Sequence, residues 1–163
     1  MRRTLILMLA TALVLLLAVP VQAGGNRNFV APLDGGQEVS PVDTNGTGVA
    51  KFQLSKDGTE LGFKLIVANT QGVTQAHIHC GAAGVNGPVV AFLYGFGPTV
   101  SPNGILSQGT LDAGNVIVRT SSTECPDGVA NFADLIAKMR SGDAYVNVHT
   151  EDNPGGEIRG QIK

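Results

Sequence analysis

The chain reads as an all-β domain. About eight short strands are expected, in a Greek-key-like β-sandwich or flattened barrel, with one short helix near 131–141. Three observations predict this. Apolar residues recur with the period of two that suits a strand with one buried face. Turn residues separate these runs, and Gly alone fills 22 of 163 positions. Only one segment carries apolar residues at helical spacing, in a chain with only 15% charged residues.

Taken in order, Phe29 to Leu33 forms a first strand, broken by Asp34-Gly35-Gly36. Gln37 to Val42 is extended, with Pro41 suited to an edge. Asn45-Gly46-Thr47-Gly48 reads as a turn. Val49 to Leu54 alternates, Lys56-Asp57-Gly58-Thr59 reverses the chain, and Leu61 to Val67 returns as the hairpin partner. Val73 to Cys80 is a strand, Gly81 to Pro88 a Gly-rich reversal, and Val89 to Tyr94 a buried strand. Ile105 to Leu111 and Val116 to Thr120 are weaker strands. Phe132, Leu135, Ile136 and Met139 mark the helix, capped by Asn131 and ended by Gly142. Tyr145 to Thr150 and Glu157 to Ile162 close the chain around an Asp152-Asn153-Pro154-Gly155-Gly156 turn.

The first 23 residues read as an export signal. Arg2 and Arg3 precede an uncharged apolar run from Leu5 to Val19, and Val21-Gln22-Ala23 has the form of a cleavage site. The run is short of the roughly 20 residues that span a bilayer, which favours cleavage over anchoring. Cleavage leaves 140 residues: a short linker at 24–28 and one domain at 29–163. Loss of the two arginines shifts the formal charge from −2 to −4. No basic surface invites nucleic acid, and no membrane contact is expected after cleavage. A secreted or periplasmic location follows. There, the pair Cys80 and Cys125 reads as one disulfide. The alternative makes Cys80 a thiolate ligand beside His79, but on a strand Cys80 faces with Ile78, opposite to His77 and His79.

All three histidines lie on strands. His77 and His79 share one face, and His149 shares a face with Tyr145 and Asn147. Two readings follow. In one, His77, His79 and His149 hold one copper or zinc ion, with Asn147 behind them and Glu157 as a further ligand or orienting group. In the other, the histidines bond loop carbonyls, and Glu38, Asn147, Glu157 and Arg159 join them in a buried polar network. Catalytic signatures are missing. There is no Gly-x-Ser-x-Gly elbow, and no spacing pairs Glu38, Glu151 or Glu157 for acid–base work. Gly81 to Pro88 matches neither a phosphate-binding loop nor a dinucleotide fingerprint.

Longer motifs carry a family resemblance. They are Leu33-Asp34-Gly35-Gly36-Gln37-Glu38-Val39-x-Pro41-Val42 and Ala76-His77-Ile78-His79-x-Gly81-x-x-Gly84-x-Asn86-Gly87-Pro88-Val89-Val90. Leu135-Ile136-x-x-Met139-x-x-Gly142 and Tyr145-Val146-Asn147-Val148-His149-Thr150-x-x-x-Pro154-x-Gly156-Glu157-Ile158-Arg159-Gly160-Gln161-Ile162 follow. In that order they resemble the CHRD domain, first described as a repeat in chordin, over about Phe29 to Lys163. The resemblance implies an all-β sandwich and a secreted, single-domain protein of microbial type. It assigns no general activity, and the growth-factor binding of chordin does not transfer to a chain without its cysteine-rich modules. A weaker similarity to copper/zinc superoxide dismutase rests on the His-x-His strand, the cysteine pair and the closing Gly-x-x-Arg. That family uses about six histidines for two metals, and this chain has three.

The expected function is therefore a non-catalytic extracellular or periplasmic binding module. Its partner would be an unknown extracellular protein, a surface ligand, or a second copy in a homodimer. The alternative is a copper- or zinc-binding protein built on His77, His79 and His149, serving metal storage, delivery or redox chemistry.

Overall fold

A computed structural model describes residues 25–95 and 97–163. The export signal expected at 1–23 lies outside the described residues. Among the described residues eight strands form a single sheet: β1 (Asn28–Asp34), β2 (Thr47–Leu54), β3 (Leu61–Ala68), β4 (Val73–Cys80), β5 (Val89–Tyr94), β6 (Gly104–Leu111), β7 (Ala144–Thr150) and β8 (Ile158–Gln161). Their spatial order is β5-β4-β7-β8-β1-β2-β3-β6, every neighbour antiparallel. The two edge strands approach each other. Ser107 Oγ of β6 donates to the Leu93 carbonyl of β5 at 2.6 Å, and Ile117 N–H donates to the Val90 carbonyl at 2.8 Å. The flattened-barrel alternative is thus the form taken, since one sheet curls until its edges nearly meet.

Period-two alternation fills the interior. Phe29, Leu33, Phe52, Leu65, Ile78, Val146 and Ile158 are all buried on the inner face. Helix α1 (Phe132–Ser141) lays Phe132, Leu135, Ile136 and Met139 into the same core, beside β7. Asn131 caps it by accepting from Asp134 N–H, and Gly142 ends it in the left-handed conformation (φ 79°). Cys80 and Cys125 form a disulfide, Cα–Cα 5.4 Å, which ties the end of β4 to the loop preceding α1. No helix among the described residues is long and apolar enough to cross a membrane.

Three local expectations are corrected. Gln37 to Val42 is not a strand. Asp34 caps a single 3-10 turn at Gly35–Gln37, and the segment to Val42 makes no ladder. The chain is diverted there because Asp34 accepts from Gln37 N–H, and the Gly35 carbonyl takes N–H groups from both Glu38 and Val42. Thr47 and Gly48 open β2 rather than finish a turn, since both find partners on β1 and β3. Val116 to Thr120 is also not a strand. It keeps one isolated bridge, Arg119 to Val129, and a single bond from Ile117 N–H to the Val90 carbonyl, and Val118 is 62% exposed, because neither neighbour runs alongside for a full ladder.

Candidate metal centre

Across β4, β7 and β8 the same alternation sends a second set of side chains outward. The register places His77 opposite Asn147 and Asn147 opposite Arg159. It also places His79 opposite Tyr145, Tyr145 opposite Gln161, and Gln75 opposite His149. An outer face of a barrel is usually wet. Here two loops cover it, leaving His77 5% and His79 9% exposed.

The cover is held by polar contacts. Arg159 donates to the carbonyls of Ala82 and Val85 at 3.1 and 2.9 Å and to Asn86 Oδ1 at 3.2 Å. Its guanidinium carbon lies 3.4 Å from the centre of the Tyr145 ring, a cation–π contact. The Tyr145 ring stacks on His79, 4.7 Å between centres and 12° between planes. Gln161 donates to the carbonyls of Gly81 and Gly142. On the other flank Asn147 Nδ2 donates to Glu38 at 2.7 Å, and Thr44 donates to Glu157 at 2.7 Å. Gly156, at φ 127°, lets the last turn pass over this pair. A Cβ there would sit 2.5 Å from Asn147 Oδ1 and 2.6 Å from Glu38.

The imidazoles converge. One nitrogen from each of His77, His79 and His149 lies within 4.8 Å of those of the other two. Three points so spaced lie within about 2.8 Å of a common centre, close to the roughly 2.0–2.1 Å of a metal–imidazole bond. His79 Nδ1 bonds the Gly87 carbonyl at 2.9 Å, and His149 Nδ1 bonds the Pro154 carbonyl at 3.0 Å. A carbonyl only accepts, so both rings carry the proton on Nδ1 and keep a lone pair on Nε2. His149 Nε2 therefore accepts from His77 Nδ1 at 3.1 Å. The Nε2 atoms of His77 and His79 are buried with no hydrogen-bond partner.

Burial keeps all three rings neutral. Desolvation is the main cause for each. It pushes His77 down to about 3, helped by the neighbouring His149 and His79, and pushes His79 down to about 4 against the pull of the Gly87 carbonyl. His149 is lowered by burial and partly restored by the Pro154 carbonyl. Across the face, burial raises Glu38, and its bond from Asn147 and the charge of Arg159 act against that rise.

The candidate residues thus separate into groups. The three histidines come together, and Cys80 turns inward to Cys125 rather than toward them. Asn147 bonds Glu38, and Glu157 accepts from Thr44; neither carries a hydrogen bond to a histidine. Sequence reading missed the groups that orient the rings: the Gly87 and Pro154 carbonyls, the Tyr145 stack, and Phe92, whose ring meets His77 edge-on at 4.5 Å. Backbone carbonyls leave no signal in a sequence. Tyr145 does leave one, because period two places it on the histidine face.

The family model of the CHRD domain matches residues 29–162. The chain belongs to the CHRD domain family. No curated protein and no solved structure matches it. Both histidine segments of this CHRD domain fall inside the match, and so do the two loops that cover them.

Proposed function

We propose that this CHRD domain is an exported, non-catalytic binding module whose ligand is a single copper or zinc ion, held by His77, His79 and His149. One observation carries the reading: three neutral imidazoles converge on one point, and two are oriented through Nδ1 by backbone carbonyls. That is how metal-binding histidines are commonly fixed. The 3.1 Å between His77 Nδ1 and His149 Nε2 is a hydrogen bond in the metal-free chain; once the His77 proton moves from Nδ1 to Nε2, that spacing is near the roughly 3.3 Å edge of a tetrahedral site with such bonds. The widest separation, 4.8 Å, must close by roughly 1.5 Å when an ion enters. Export is supported by the leader-like first 23 residues and by the Cys80–Cys125 disulfide.

Elemental analysis and titration of the tag-free mature domain test the reading. About one copper or zinc per chain is expected, and His77→Ala/His79→Ala and His149→Ala should each lose it while still melting cooperatively. Background metal content after titration of the folded wild type refutes it. A second reading is favoured by the many protein–protein hydrogen bonds on this face: the histidines are part of the cover that holds the loops, and the domain binds a surface partner without metal. It predicts that His77→Ala changes stability or partner binding while metal content stays at background.

A further inference from the structure

Resting on the three-imidazole reading, we propose that the centre selects copper in its +1 state over Cu(II) and Zn(II). The donor set is neutral. Among the described residues the converging group contains three histidines and no carboxylate, because Glu38 is held by Asn147 and Glu157 by Thr44. Positive charge lies close to the rings. Arg159 lies 3.4 Å from the Tyr145 ring centre, and that ring lies 4.7 Å from the His79 ring centre. The guanidinium carbon is therefore no more than about 8 Å from His79, where Coulomb forces are strong in a poorly hydrated site. Arg119 also acts electrostatically on His79. Glu38, coupled to Arg159, offsets part of this field, and a +2 ion meets the remainder at twice the cost of a +1 ion.

Coordination number points the same way. Zn(II) takes four ligands and Cu(II) favours a tetragonal set, so each needs at least one donor beyond the three imidazoles. Cu(I) is softer and is satisfied by three nitrogen donors. Burial of His77 and His79, with the Phe92 ring against His77, limits the water that could supply the rest.

The experiment measures Cu(I), Cu(II) and Zn(II) affinities of the tag-free mature domain by competition with chromophoric chelators. Ascorbate serves as reductant, so that no thiol attacks the disulfide. The Cu(I) Kd is expected to be at least about tenfold below that of either divalent ion; for copper this raises the Cu(II)/Cu(I) potential by about 59 mV or more over the aqueous couple. Arg119→Gln keeps a donor for the Val89 carbonyl and removes the charge. It should tighten the divalent ions and tighten Cu(I) by clearly less. Divalent ions bound as tightly as Cu(I) overturn the proposal while leaving the three-imidazole centre intact. Failure of all three ions to bind overturns both. An unchanged ratio in a folded Arg119→Gln overturns the electrostatic basis, and the wild-type ratio stands as a test without that variant.

Discussion

Acidification of the metal-free domain from pH 7 to pH 5 should remove up to about 4 kcal/mol of stability through His77 and His79 alone. Both rings are neutral in the folded chain, at about 3 and about 4, and regain a value near 6.5 when unfolded. Between these limits the unfolded chain binds more protons, so stability falls as pH falls. At pH 5 each histidine is almost fully protonated when unfolded and largely neutral when folded, worth about 2 kcal/mol per ring. Coupling among the rings and residual solvent screening make about 4 kcal/mol the upper end of the expected loss. His149, also lowered, acts in the same direction. Glu38 acts in the opposite one: its carboxyl is raised, so the folded state keeps a proton that the unfolded chain has released, and acid favours folding through that group. Guanidinium unfolding at pH 7, 6 and 5, with the disulfide intact, reads the slope. His77→Gln should reduce it by close to one proton. A loss below about 1 kcal/mol in the wild type would refute the buried neutral pair, and an unchanged slope in His77→Gln would remove His77 from it.

Reduction of Cys80–Cys125 opens a loop of 45 residues and should cost about 4 kcal/mol, read as a lower melting temperature in thiol reductant. Gly87→Ala would place a Cβ 1.7 Å from the Cys80 carbonyl oxygen, displacing the carbonyl that orients His79. It should destabilise by more than about 2 kcal/mol and weaken metal binding, checked by melting and titration together. Arg159→Met leaves the Val85 carbonyl without its donor, takes one of two donors from the Ala82 carbonyl, and removes the cation on Tyr145. A loss of about 3 kcal/mol is expected, with faster amide hydrogen exchange in the 81–88 segment. Asn131→Ala removes the helix cap for about 1 kcal/mol and should leave metal affinity unchanged.

Local chemistry was enough to read most elements. The apolar alternation of β2 and β7, the continuous apolar run of β5, the Asp57-Gly58 reversal, and the Asn131 and Gly142 ends of α1 all follow from side-chain pattern and backbone preference. The same period separated Cys80 from His77 and His79 within β4. Where backbone partners decide, sequence reading failed. Val116 to Thr120 has strand-forming residues but no neighbouring strand along its length, and Gln37 to Val42 yields to the turn made by Asp34. The site divides in the same way. That His77 and His79 face together is a property of one strand. That His149 reaches them depends on β4 and β7 being neighbours in a sheet whose order departs from chain order. Their burial depends on residues 81–88 and 151–156 folding over an outer barrel face, where Arg159, Gly87 and Pro154 hold the cover in place. A strand's pleat is written in its own residues; the neighbour it pairs with, and the loop that shields it from water, are set by contacts across the whole chain.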